Sequence, residues 1–446
     1  MGTVIRVNST GWWGRPLSPQ ALVAAVGVAL AVLTVAFAVE SAARPEYRIA
    51  ESDLRVYQPY GTRILDGQMP YRDFELEYPP AALPMFVLPA THLLARGPTA
   101  SANWAPLNDD ARRYNRAFGY LVLALTAVML ALVALSLAAL RRPAWAVLLA
   151  LAVVASSPLL FGDVFPGRFD VWPAALAAAA LAAAIRGHYR VGGVLVGVGA
   201  AAKIYPALLL PVLVIVAARH RGVREAIVSA STAVAGAAAV FLPFLVASFA
   251  GTWHSLRAQL GSGLQIESLA ASVLVAARHL GPNLELTNRA TGGAVSRSVL
   301  VGPGVHETAA AVDVLLAVTL IWLWVSLLRS KADPREDLVR YGAAAIAAVL
   351  VLGTVLSPQY VIWLIPLVPL VGGRRGAVAM LMLVIAAALT HVWFPARYVD
   401  YENGLDAGPA ALLLARNIAL LATALVLIAP GRLRAARAPK ATPVLR

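Results

Sequence analysis

Long uncharged apolar runs recur along this chain, and they lack the strict apolar–polar alternation of a strand. Residues 21–39 and 226–253 contain no Asp, Glu, Lys or Arg, and each is about the 20 residues a helix needs to cross a bilayer. Lipid offers no partner to a bare backbone amide or carbonyl. Spans without barrel periodicity must therefore satisfy those groups within helices. The expected fold class is all-α: a polytopic transmembrane helical bundle of about ten to thirteen membrane segments, some short or broken.

Polar interruptions set the expected path. A first helix over 20–40 leads to a loop over 41–80, and 81–95 reads as a short dipping, jaw-like helix. Segments over 114–140, 143–160 and 169–186 follow. Residues 190–218 hold two short traversals meeting near Lys203–Pro206. A span over 225–250 leads into a long Gly-, Ser- and His-bearing segment, 251–305. Further segments over 307–329, 339–356, 361–372, 375–393 and 409–430 complete the path. Residues 1–19 and 431–446 flank a single domain, 20–430. The run "AALAAAALAAA" and the glycines at 192, 193, 197 and 199 are read as close helix packing; no strand precedes those glycines to make a phosphate cradle.

Composition agrees with a membrane protein. Of 446 residues, 60% are hydrophobic and 13% charged, against about a quarter charged in a soluble domain. The net charge of +14 is unevenly placed. Segments 1–20, 141–142, 186–190, 219–225, 329–340, 374–375 and 431–446 hold twenty basic residues against four acids, Glu225, Asp333, Glu336 and Asp337. That bias is the positive-inside pattern, and it puts both termini in the cytoplasm of a multi-pass plasma-membrane protein. The basic tail "GRLRAARAPK" reads as an anchor beside anionic lipid, not a nucleic-acid site. The chain has no cysteine, which excludes disulfides and thiol metal sites. The first apolar run is longer than a usual cleaved signal and reads as an uncleaved helix.

Candidate chemistry gathers on the side expected to be extracytoplasmic. The most polar stretch is "ESDLRVYQPYGTRILDGQMPYRDFELEYPP", residues 51–80. Asp53 and Tyr57 share one face of a short helix, while Glu51 points elsewhere. A carboxylate at the interface, partly shielded from water, is suited to take a proton from a hydroxyl; an ordinary solvated loop is the alternative. Lys203 in "AAKIYP" sits at the expected helix break. A mid-membrane cation is costly, so it reads as a phosphate contact or as a lysine snorkelling to the interface. Arg168 and Asp170 in "FPGRFDVW" either pair with each other or leave Arg168 facing a headgroup. Arg416 lies inside the last span without an identifiable partner. Trp253 with His254, Gln359, Tyr360 and Trp363 in "SPQYVIWL", and His391, Trp393, Arg397 and Tyr398 in "THVWFPARY" suit either an aromatic belt or sugar stacking. Adjacent carboxylates occur at "NDD" (108–110), and the seven histidines show no zinc spacing. No metal site is expected.

Three blocks together carry a resemblance: "SDLRVYQPYGTRILDGQMPYRDFELEYPPAALPMF", "GRFDVWPAALAAAALAAAIRGHYRVGGVLVGVGAAAKIYPALLLP" and "SPQYVIWLIPLVP". In that order they resemble the actinobacterial polyprenol-phosphate-mannose-dependent α-mannosyltransferases of the GT-C superfamily, which include enzymes that extend phosphatidylinositol mannosides. The resemblance runs from about residue 20 to 430. It implies a polyprenyl-phosphate-linked mannose donor, a glycolipid or glycan acceptor, and inverting transfer on the extracytoplasmic face. It implies a first-loop acid as base, the position Asp53 holds; Lys203 and Arg168 are the cations read as holding the donor phosphate. Tyr57, Glu51, His254, Gln359, Tyr360 and His391 would touch sugar or acceptor, and no cofactor is required. The chain departs from relatives in separating its first-loop acids as Glu51-Ser52-Asp53, in placing Asp73, Glu75 and Glu77 nearby as competing bases, and in carrying Arg168 where Gln is commoner. A lipid-linked sugar transporter or flippase is the alternative, since broken helices and intramembrane charges suit one too; matching halves are not evident.

Overall fold

The computed structural model describes residues 11–43, 53–91, 109–258, 263–277, 284–290 and 296–430. Glu51, Asn108, the basic tail and parts of the 251–305 segment lie outside them. Where the sequence is apolar and uncharged the chain is helical. Six described helices are long and apolar enough to cross a membrane: α1 (Pro19–Ala43), α4 (Asp109–Ala139), α10 (Val223–Ala247), α13 (Val305–Leu328), α15 (Gly373–Trp393) and α17 (Ala407–Ile428). The pair α5 (Ala144–Ala155) and α6 (Ser157–Phe161), bent by 54° with the turn that follows, makes a seventh if counted as one span. Pro158 forces that bend, because it cannot donate into the preceding turn. Ser157 Oγ instead bonds the Val154 carbonyl at 2.6 Å. The expected ten to thirteen segments are reached only by adding the short apolar helices Pro80–Thr91, α7 (Val171–Ile185), α8 (Tyr189–Ala202) and Pro358–Leu370.

The short helices are inside and the long ones outside. Twelve of the fifteen residues of α7 are buried, most of them alanine, and α14 (Pro334–Leu352) is buried along nearly its whole apolar part. By contrast, α10 and α13 bury only 11% of their most apolar windows, leaving side chains such as Val234, Val246, Val314 and Val318 for lipid. The expected fracture is present: α8 stops at Ala202, Lys203 is extended, and Tyr205–Leu208 make one tight turn before α9 (Leu209–Arg221). The jaw-like helix runs over Pro80–Thr91 and includes α3 (Leu83–Val87). The loop before it contains an amphipathic helix, α2 (Leu54–Leu65).

The basic loops meet at one end. Arg142 pairs with Glu336 at 2.6 Å and donates to the Leu370 carbonyl. Arg219 pairs with Asp337 at 2.7 Å, and Arg190 pairs with Glu225. Arg340 and Arg375 donate to the Ala429 carbonyl beyond α17, which satisfies carbonyls a helix end leaves open. The Arg15 carbonyl accepts from the Ala144 amide, so α1 starts at this end. It delivers the chain ~37 Å away, to the end that holds Asp53.

At that far end the sequence reading missed non-membrane structure. The 251–305 segment holds α11 (Phe249–Ala258), α12 (Leu269–Ala277) and a hairpin in which β1 (Glu285–Ala290) pairs antiparallel with β2 (Ser296–Val301). The stretch Leu264–Ile266 bonds to β2 on one side. On the other, Gln265 accepts from the Leu356 amide and its own amide donates to the Thr354 carbonyl. One loop thus ties the hairpin to the "SPQY" turn. A short helix, α16 (Tyr398–Gly404), follows α15.

Helix α8 packs on α10 backbone to backbone. A Cβ at Gly197 would stand 2.0 Å from the Ala233 carbonyl oxygen, and one at Gly193 2.3 Å from that of Ser229. Gly197→Val is therefore expected to force the two helices apart at a cost of about 3 kcal/mol or more. A large drop in the thermal midpoint of the detergent-purified protein checks this; a wild-type midpoint would refute it.

Candidate active site

Asp53 stands at the start of α2, where its backbone carbonyl accepts from the amides of Val56 and Tyr57. The helix is fixed by its buried face. Tyr57 stacks on Phe86 with centroids 4.5 Å apart, and Gly61 lies against the Phe86 carbonyl, where a Cβ would come within 2.1 Å. Tyr57 and Asp53, one turn apart, meet as the sequence spacing implies: the Tyr57 hydroxyl donates to Asp53 Oδ2 at 3.3 Å. Burial raises the Tyr57 phenol well above its ordinary value, helped by Tyr78 and Asp170, so the hydroxyl remains a donor.

The same Asp53 oxygen pairs with Arg168. The Asp53 side chain is 24% exposed and that of Arg168 11%, so the pair is shielded but open on one side. The guanidinium also lies over the Phe394 ring, 5.8 Å from its centroid. The sequence left open an Arg168–Asp170 bridge, but the structure divides those two residues. Asp170 points inward, with no exposed surface, and accepts from Lys203 Nζ at 2.6 Å and Trp363 Nε1 at 2.7 Å. Lys203, its side chain 14% exposed, is drawn inward to Asp170. It sits 4.5 Å over the Tyr360 ring, 4.9 Å over Phe169 and 5.2 Å over Trp363. Tyr360 and Tyr205 also stack with Trp363, at 4.1 and 4.0 Å. A cation among three ring faces and one carboxylate is strongly held.

Two residues apart in sequence, Arg168 and Asp170 therefore join two layers: a buried Lys203–Asp170–Trp363 plate, and above it the half-open Asp53–Arg168–Tyr57 cleft. The competing acids are placed differently. Asp73 pairs with Arg72 at 2.8 Å; its bonds from Arg72 and from the Met69 amide hold it down at about 2. Glu77 is buried and accepts from the Tyr60 hydroxyl at 2.6 Å. Glu75 is exposed.

The remaining sugar-contact candidates scatter. Gln359 is half-buried beside Tyr360, and its Oε1 has no hydrogen-bond partner among the described residues. His391 is exposed at the end of α15, where Nδ1 lies 2.7 Å from the Leu159 carbonyl and Nε2 packs on Gly162. His254 is exposed on α11. Asp109 and Asp110 open the first turn of α4. Among the described residues no group of three His, Asp or Glu side chains could hold a metal ion.

One functional candidate was missed. Glu267, in the loop before α12, is 3% exposed. Its backbone carbonyl accepts from Arg416 at 3.0 Å and Asn417 at 3.2 Å, which supplies the neighbour that Arg416 lacked in sequence. Burial raises the Glu267 carboxyl to about 8, offset in part by Arg416 and Arg168 and aided by Glu402. A mid-loop Glu carries no sequence signal of such burial. The unpaired basic residue in the last span was the clue that a carboxyl had to be near.

A profile of Glycosyltransferase family 87 matches residues 76–358, more than half the chain, and the protein belongs to that family. No curated protein matches it. The matched span contains Arg168, Asp170, Lys203 and Glu267; Asp53 and Tyr57 lie upstream of it. With its apolar helices, the chain is an integral-membrane glycosyltransferase.

The Glu267 carboxyl also gives the fold a pH dependence. Its folded value of about 8 lies above its ordinary 4.5, so its contribution is full below 4.5. It is lost as pH rises towards 8, by an amount on the order of a few kcal/mol. The thermal midpoint measured in detergent from about pH 5 to 9 is expected to fall with rising pH in the wild type, and to lose much of that slope in Glu267→Gln. Equal slopes would refute the assignment.

Proposed function

We propose that this member of glycosyltransferase family 87 transfers mannose, with inversion, from polyprenyl-phosphate-mannose to a cell-envelope glycolipid or glycan, at the extracytoplasmic face of the plasma membrane. The observation that carries the reading is Asp53: a partly exposed carboxylate oriented by Tyr57 and Arg168 at the end of the bundle away from the basic loops. The positive-inside bias makes the basic end cytoplasmic, and with it both termini.

The chemistry asked of the site is modest. Asp53 takes the proton of the acceptor hydroxyl as that oxygen attacks the anomeric carbon. The bond from that carbon to the phosphate oxygen breaks, and the electron pair leaves on the phosphate. An anionic leaving group needs no strong acid, only nearby positive charge. Arg168 and Lys203 are the cations to supply it; Lys203 is held by Asp170, so it acts as part of a fixed pair and not as a free ammonium.

A place for the lipid chain supports the same reading. An apolar cavity of about 570 Å³ lies between α1, α5–α6 and α15, lined by Val28, Val32, Leu149, Ala152, Leu160 and Met380 among others. Leu160, which lines it, lies in α6, the helix that precedes the segment carrying Arg168. A polyisoprenyl tail in this cavity would bring its phosphate towards the cleft.

Asp53→Asn keeps the shape and removes the base. In proteoliposomes with radiolabelled polyprenyl-phosphate-mannose and an envelope-lipid acceptor extract, it is expected to lower transfer by at least about a hundredfold, with the thermal midpoint near wild type. Undiminished turnover would remove Asp53 from the reaction.

A further inference from the structure

Helix α11 has its polarity reversed. Its inward face carries the hydroxyls of Thr252 and Ser255, 1% and 2% exposed. Its outward face carries Phe249, Trp253, His254 and Arg257 at helical spacing, with Phe249 66% and Trp253 43% exposed. A helix bathed in water turns its apolar stripe to the core, so the surroundings of this outward face are not bulk water. We propose that the outward face of α11 is a lipid-headgroup site: Phe249 and Trp253 seat in the membrane interface, and Arg257, with His254, takes the phosphate of an anionic lipid. The binding does not depend on the glycosyl-transfer reading; its effect on rate rests on that reading.

Depth and charge both favour that occupant. Helix α10 starts at the basic end, where Glu225 in its first turn pairs with Arg190. Its 25 residues rise ~37 Å, which exceeds the ~30 Å hydrocarbon core but not the ~40–45 Å that includes the headgroups. One extended residue, Ser248, separates it from α11, so α11 begins within the far headgroup layer. Aromatic rings and long basic side chains collect at that level. No Asp or Glu stands on α11, and the Arg72–Asp73 pair beside Tyr71 is neutral as a unit. The Arg257 guanidinium lies 5.0 Å over the Trp253 ring. A guanidinium stacked on a ring keeps its in-plane N–H groups for an anion. A phosphate accepts several such bonds, and an anionic lipid brings no ammonium of its own to offset its charge.

The inward face couples this site to the cleft. Thr252 Oγ1 donates to the Ser248 carbonyl at 2.8 Å across the elbow between α10 and α11. Gly251 packs so closely on the Tyr71 carbonyl that a Cβ would stand 1.8 Å from its oxygen. Ser255 Oγ donates to the Tyr78 carbonyl at 3.4 Å, and the Tyr71 hydroxyl donates to the same carbonyl at 2.6 Å. The Tyr78 ring meets Tyr57 edge to face, with centroids 5.6 Å apart, and Tyr57 is the donor to Asp53. A lipid that steadies α11 therefore steadies the loop between α2 and the jaw-like helix, and with it the orientation of the candidate base.

The chain has no cysteine, so a fluorophore on Ala250→Cys, at an exposed position of α11, reports from the outward face alone. The full-length protein is placed one copy to a nanodisc, with phosphatidylcholine or phosphatidylglycerol carrying a quencher high on the acyl chain. Both lipids are expected to quench, phosphatidylglycerol about threefold more strongly at equal mole fraction. Adding Arg257→Gln and His254→Gln is expected to remove that preference and keep the quenching. No quenching by either lipid overturns the interfacial placement. Equal quenching by the two lipids in the parent, or an undiminished preference in the double variant, overturns the anionic site. In the kinetic arm, the rate of mannosyl transfer is expected to rise about threefold as phosphatidylglycerol replaces phosphatidylcholine, and to stay flat in Arg257→Gln. Equal rises in both overturn the coupling. A wild type inert towards the lipid donor in every membrane defeats the transfer reading alone, because the quenching still decides the headgroup site.

Discussion

A carboxylate with no exposed surface, Asp170, is the constraint on which this site depends. Burying it is costly, and only a close cation and further hydrogen bonds offset the lost hydration. Lys203 and Trp363 supply both, at 2.6 and 2.7 Å. Lys203 reaches Asp170 at the point where α8 ends, so the break at Ala202 and the tight turn over Tyr205–Leu208 accompany the pair. Because Trp363 belongs to the short Pro358–Leu370 helix, a third segment is drawn in. Removing Lys203 alone would strand Asp170 at a cost of about 3–5 kcal/mol, so the pair is as much a keystone of the fold as a source of charge.

From that buried pair the chain itself carries position outward. Asp170 opens α7, where a carboxylate also benefits from the helix N-terminus, and Arg168 precedes it by two residues. A fixed Asp170 thus fixes the root of Arg168, and Arg168 reaches Asp53 on a helix held independently by Tyr57, Gly61 and Phe86. The outcome is a candidate base, Asp53, supported from two sides with its side chain 24% exposed. Short inner helices make room for it, and long outer ones keep the bundle in the membrane.

Much of this was legible in the sequence, and the rest was hidden for physical reasons. Uncharged runs gave the helical membrane class directly, and the Lys203–Pro206 interruption was visible as a cation and a proline between two pieces too short to span. The spacing of Asp53 and Tyr57 put them on one face, as the structure has them. Partnership across the fold was not readable: Arg168 and Asp170 look like a local pair, yet one faces Asp53 and the other Lys203, because alternate residues entering α7 point to opposite sides. The β1–β2 hairpin escaped notice since six-residue strands in a Gly- and Ser-rich loop give little periodicity. Glu267 escaped because a lone loop acid looks solvated until Arg416 is seen beside it. The candidates His254 and His391 drew attention as rare polar residues near aromatic belts, and the structure leaves both exposed.

The central claim is that a single carboxylate drives a direct displacement at a sugar carried on a lipid phosphate. Its most direct test is the anomeric outcome. Purified wild-type protein in nanodiscs is given synthetic polyprenyl-phosphate-mannose of defined configuration, and the product is read by proton NMR at the anomeric carbon. A product of opposite configuration, formed from the lipid donor without any nucleotide sugar, is expected. Retained configuration, or transfer only from a nucleotide sugar, would contradict the account.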